Sequence, residues 1–233
     1  MMQPRTSLAV TAALLLVAGC NKQASQQPGN EVAAPAASTP SAMLRAAAEP
    51  FEVLTEESFA AAWDRVDKLI GDARGASAKA RGVMSPAQAV ALDQSLAMIA
   101  DARRARDRPA LALASVETYR QLVEAQDPAA AEPPIAVSLL DYAGFRYDAL
   151  VQAPRVDWAA VHDASSFAQQ QWKAIEPAIK SDSLKGAAAN SVNALDTAAA
   201  AQNVAVARSA AATELAMVDL LEEHLALQGK KTP

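Results

Sequence analysis

Tyr142 and Arg146, one helical turn apart in the run LLDYAGFRYDAL at 139–150, form the most chemically suggestive pair in the sequence. On a helix they share a face. A guanidinium beside a phenol hydroxyl can hold a carboxylate or phosphate ligand. Asp141 and Asp148, seven residues apart, share a second face beside Phe145. The plainer expectation is that Arg146 pairs with a carboxylate on a neighbouring helix, the tyrosines being core residues with wet tips. Glu214 draws notice by its phase. The stripe Val204, Ala207, Ala211, Glu214, Val218, Leu221, Leu225 is apolar everywhere except there. A carboxyl buried at that position would have a raised pKa or an Arg partner and could mark a site. The expectation adopted is that Leu215 rotates into the slot and Glu214 stays at the margin.

The two histidines, His162 and His224, could each meet a carboxylate from another helix in a bundle metal site. The Glu-x-x-His spacing of di-metal bundles fails, because Ala159 and Leu221 stand three residues before them. Met98 and Met217 could complete a haem ligand pair. His224 is instead expected at the solvated end of its helix, near the last carbonyls. No metal and no cofactor is expected. The candidate ligand-binding residues are therefore Tyr142, Arg146, Glu214 and His162, and no catalytic residue is expected. There is no G-x-S-x-G turn and no Gly-rich phosphate loop, the 8 glycines being scattered. With 21 Lys+Arg against 26 Asp+Glu and no basic run longer than a pair, the chain offers no footprint for nucleic acid.

The single Cys stands at position 20, at the end of MMQPRTSLAVTAALLLVAGC. Arg5 supplies a positive start, and the apolar run Leu8–Ala18 would span only about 16 Å as a helix, too short for a membrane crossing. The stretch reads as a secretory signal. Val17-Ala18-Gly19-Cys20 resembles the lipobox of bacterial lipoprotein precursors. That resemblance implies cleavage before Cys20, a diacylglycerol on its sulfur and acylation of the new amino group. Asn21, which is not Asp, implies export onward to the outer membrane. Two or three acyl chains make a stable anchor where one would be marginal. Loss of Arg5 with the signal takes the net charge from −5 to −6.

These residues must be positioned by helices. Of 233 residues 59 are Ala, the best helix former, and only 4% are aromatic, which disfavours sheet architectures. The expected organisation is a signal at 1–19, a lipid anchor and flexible linker at 20–50, an α-helical domain at 51–229 and a disordered tail at 230–233. The linker reading rests on its Ala, Gln, Ser and Pro content and its lack of a bulky apolar repeat. From Phe51 onward a 3.6-residue period predicts about six to seven helices, an antiparallel bundle or stacked hairpins. The first, over 56–80, carries Phe59, Trp63, Val66, Ile70 and Ala73. Ser85-Pro86-Ala87-Gln88 has the form of a capping box. Asp107 and Asp157 are further cap candidates, and Pro177 interrupts the helix that starts at Trp158. Trp63, Trp158 and Trp172 are expected to anchor the core.

Residues 95–115 and 191–211 match faintly at an offset of 96. Duplicated helical hairpins would produce this, and so would Ala-richness alone. LLDYAGFRYDAL, Asp157-Trp158, Trp172 and Val218–Glu222 resemble a group of secreted helical proteins without a settled function, over the C-terminal half. That resemblance implies an all-α fold and adds nothing about activity. The function expected is that of a lipid-anchored, periplasm-facing, non-catalytic interaction protein. Its partners would be the membrane, through Cys20, and envelope proteins. The alternative is a bundle binding a small ligand or metal.

Overall fold

The computed structural model describes residues 39–229, which are helical apart from short connections and include no strand. The signal, Cys20, positions 21–38 of the expected linker and the tail at 230–233 lie outside the described residues. Eight helices follow in order: α1 Pro40–Glu57, α2 Trp63–Ala80, α3 Pro86–Ala105, α4 Arg108–Glu124, α5 Ile135–Val151, α6 Trp158–Ile175, α7 Asp182–Ala201 and α8 Val204–Gly229.

The first helix corrects the expected linker boundary. Thr39 caps α1 by accepting from the Ala42 amide, Pro40 occupies the first turn, and Leu44, Ala47, Ala48, Phe51 and Leu54 form a buried stripe. Pro50 inside the helix and the small side chains before it disguise that stripe in the sequence. The predicted helix over 56–80 is shorter at its start, because 58–62 form a turn and Phe59 precedes α2.

The caps work as the sequence suggested. Ser85 and Gln88 form the reciprocal capping box, and Asp107 and Asp157 accept from amides of the following turn. Each satisfies donors that the first turn of a helix leaves open, worth about 1 kcal/mol per cap.

The eight helices are two sets of four built alike. Ser85 and Ser181 cap α3 and α7; Arg106 and Gln202 end those helices in the left-handed region at φ 54° and 48°; Asp107 and Asn203 cap α4 and α8. Each of these pairs is 96 residues apart. A short 3₁₀ turn follows α2 at Arg81–Val83 and α6 at Glu176–Ala178. The buried stripes correspond too: Leu44, Ala47, Phe51 and Leu54 of α1 stand 96 residues before Leu140, Ala143, Tyr147 and Leu150 of α5. Val66 and Ala73 of α2 stand 95 before Val161 and Ala168 of α6. The faint offset in the sequence thus extends over four helices.

Within each set, the first helix packs on the second and fourth, and the third on the fourth; the sets join through α4 and α5. In α5–α8 the ring closes, α6 lying along α7 on an apolar seam that includes Ala168, Val192 and Leu195. In α1–α4 the ring stays open, α2 touching α3 only briefly. That gap is bridged by polar contacts. Arg103 of α3 donates to both Asp67 oxygens at 2.6 and 2.8 Å, and the Arg103 and Arg108 guanidinia lie over the Trp63 ring at 4.6 and 4.4 Å. Trp63 and Trp158 are only half-buried, whereas Trp172 is a core residue.

Candidate functional site

The pair Tyr142–Arg146 sits on the α5 face that meets α4. Arg146 pairs with Glu117 of α4 and donates to the Tyr142 hydroxyl at 2.8 Å, while that hydroxyl donates to Glu117 Oε1 at 2.8 Å. Arg120 Nε donates to the other Glu117 oxygen at 3.0 Å. One carboxylate thereby ties three side chains into a strut between the two halves. The carboxylate that could have been a ligand's belongs to the protein. Burial and the adjacent Glu117 charge push the Tyr142 phenol up to about 12.

Glu214 overturns the marginal placement expected for it. It is 0% exposed, and among the described residues neither carboxyl oxygen has a hydrogen-bond partner. Leu215 is the residue left partly exposed. The reason lies on the facing helix: position 144 is Gly, and a Cβ there would collide with Glu214 Oε2 and come within 2.8 Å of Leu215. The absent side chain makes the space the carboxyl fills. Burial raises the Glu214 carboxyl well above the usual range. One helical turn before Gly144, Asp141 is also buried, and it accepts from the Tyr119 hydroxyl at 3.3 Å. Burial, with the charges of Glu52, Glu214 and Glu222, raises the Asp141 carboxyl well above its usual range.

Tyr119 and Ser138 also form part of the wall of a surface cleft of about 260 Å³ that includes Arg45, Glu49, Glu52 and Glu222. An adjoining cleft of about 620 Å³ shares Arg45, Pro133 and Glu222 and adds Pro134 and Leu225. Burial, then the neighbouring carboxylates Glu56, Glu222 and Asp219, push Glu52 up to about 7. Acids therefore face one another between α1 and the end of α8, while Arg45 donates to the Glu132 carbonyl at 2.9 Å. Groups whose folded-state pKa is raised add stability below their ordinary carboxyl range, and that stability is lost as pH rises through the raised value. Sequence reasoning missed Glu52, Arg45 and the Asp141–Tyr119 bond; the signal that could have found the first two was the α1 stripe.

His162 lies elsewhere, across the α6–α7 seam, with Nδ1 3.6 Å from Asp196. His224 contacts Gln228 one turn on. Among the described residues no group of three or more His, Cys, Asp and Glu is placed to hold a metal ion. No described helix is long and apolar enough to cross a membrane. Along the outer side of α7 and α8 runs an open groove of about 930 Å³, walled by small and apolar side chains that include Ala194, Ala198, Val206, Ala210 and Met217. Compared with protein-family models, with curated protein sequences and with solved structures, the chain matches none significantly.

Proposed function

We propose that the chain is a lipid-anchored helical interaction protein of the bacterial cell envelope, held at the periplasmic face of the outer membrane through Cys20 and performing no catalysis of its own. The sequence support is the lipobox-like Val17-Ala18-Gly19-Cys20 with its short apolar run. The observation that carries the interaction reading is the use made of the polar residues. Glu117 absorbs both Tyr142 and Arg146, converting the best ligand-binding pair into a strut. The strut leaves shape as the resource the domain presents, above all the long α7–α8 groove. Small side chains along such a groove let another helix approach closely.

A second reading, a small-ligand binder, is favoured by the paired clefts around Arg45, where acidic and apolar side chains meet. Fractionation after metabolic labelling with a radioactive fatty acid tests the anchor. The native chain should carry label and sediment with the outer membrane, and Cys20→Ala should lose the label and appear in the soluble envelope fraction. An unlabelled native chain would refute the anchor. Cross-linking in intact cells then separates the two readings: specific protein adducts through α7 and α8 support the first. Undiminished function when the groove is blocked by bulky substitutions at Ala194 and Ala210 contradicts it.

A further inference from the structure

The two halves hold different residue pairs at one corresponding place. Position 144 of α5 and position 214 of α8 stand 96 residues after positions 48 of α1 and 118 of α4. The first half has Ala48 and Thr118, both buried, with the Thr118 hydroxyl donating to the Ala114 carbonyl at 2.7 Å. The second half has Gly144 and Glu214, and the carboxyl has no partner. A larger side chain on one helix is matched by a smaller one on the other, so the seat is built to admit the acid.

An uncompensated carboxylate in such a seat is strongly disfavoured, and the group responds by holding a proton. On α5 the facing titratable group is Asp141, bonded to Tyr119 of α4, with Asp148 further along beside Gln152. The α7 residues that wall the groove shared with α8 are neutral, Ala187 and Ser191 among them; Asp196 of α7 is turned to His162 and Ser165 of α6. On α1, Glu52 and Glu56 face Asp219 and Glu222 of α8 itself. Arg208, the cation of α8, lies 3.5 Å from Gln152, more than a turn from position 214. Burial raises the Glu214 carboxyl, and among the described residues no positive neighbour lowers it.

We propose that Glu214 is a proton-operated catch for α8: with the carboxyl neutral the helix stays seated on α5, and with the carboxyl charged the helix lifts from that seat. Lifting uncovers the apolar inner face at Val218 and Leu221 and alters the groove shared with α7. The catch stands whether or not the chain is anchored, so its failure and that of the anchor are separable.

The test is hydrogen exchange of the full chain from pH 5 to pH 8, with rates corrected for intrinsic exchange. Segments covering 210–229 report on α8, and segments covering 86–124 serve as an internal control. Opening of α8 should rise with pH, by up to about tenfold per unit for each proton released. Two variants should lose one proton's share of that slope while the control is unchanged. One is Glu214→Gln; the other is Gly144→Ala with Glu214→Thr, which installs the first-half pair. Circular dichroism establishes that each is helical, and should one fail to fold the other decides. A wild-type α8 whose opening ignores pH, or variants that keep the full slope, would overturn the proposal.

Discussion

The two four-helix halves share their caps, 3₁₀ turns and buried stripes, yet they are closed by different means. The second half is a complete ring whose seams are largely apolar, with the sealed Glu214 carboxyl among its buried groups. The first half leaves α2 and α3 apart and spans the gap with the Arg103–Asp67 pair and two guanidinia over Trp63. One plan thus tolerates two solutions to the same packing problem. In the first half the bridging ion pair sits outside, where exposed pairs contribute at most about 1 kcal/mol each. In the second a polar group sits inside, where it responds to protons. The difference sets a half braced across its gap by an exposed ion pair against one that seals an acid inside.

The largest effect should come from the shared stripe. Phe51 and Tyr147 occupy corresponding, fully buried positions. Phe51→Ala should cost about 3–5 kcal/mol in denaturant unfolding, from lost burial and the cavity left behind. Tyr147→Phe, which loses only the bond from its hydroxyl to the Leu195 carbonyl at 2.9 Å, should cost about 1 kcal/mol. A Phe51→Ala domain as stable as the wild type would break the correspondence.

Next comes the strut that joins the halves. Glu117→Gln should destabilise by about 1.5–3 kcal/mol, since it removes the charge that holds Arg146, Tyr142 and Arg120 together. The variant should also lower the cooperativity of unfolding, with fluorescence of Trp63 and Trp172 changing at separate midpoints. Coincident midpoints at unchanged stability would show that the halves are held by apolar contacts alone.

The smallest effect is the most specific. Gly144→Ala should cost about 1–3 kcal/mol, because the new methyl group must displace Glu214 and Leu215. Adding Glu214→Thr should return most of that loss. Ala48→Gly, the reverse change in the first half, should cost about 0.5–1 kcal/mol from backbone entropy alone. Equal penalties for Gly144→Ala with and without Glu214→Thr would mean that the two positions are not matched.

Much of this was legible from local rules. The caps at Ser85, Asp107 and Asp157 depend on a few consecutive residues, and the helical period from α2 onward is set by spacing alone. What escaped depends on pairs distant in sequence. Glu214 lay in phase with its stripe, but whether it or Leu215 fills the slot is decided by Gly144 on another helix. Arg146 was expected to find a carboxylate, and which one was a matter of how α4 meets α5. The first helix escaped for a different reason. Ala47 and Ala48 bury completely but carry little apolar weight, so a stripe built on them reads as linker.

If its seat holds the Glu214 acid neutral, the proton should be visible directly on the carboxyl. A carbon-13 titration of the glutamate side-chain carboxyls, with the Glu214 signal assigned by its loss in Glu214→Gln, tests this most directly. The Glu214 carboxyl should stay protonated well above the ordinary glutamate range while α8 remains seated. Titration of Glu214 near the ordinary value of about 4.3, with the fold intact, would contradict it.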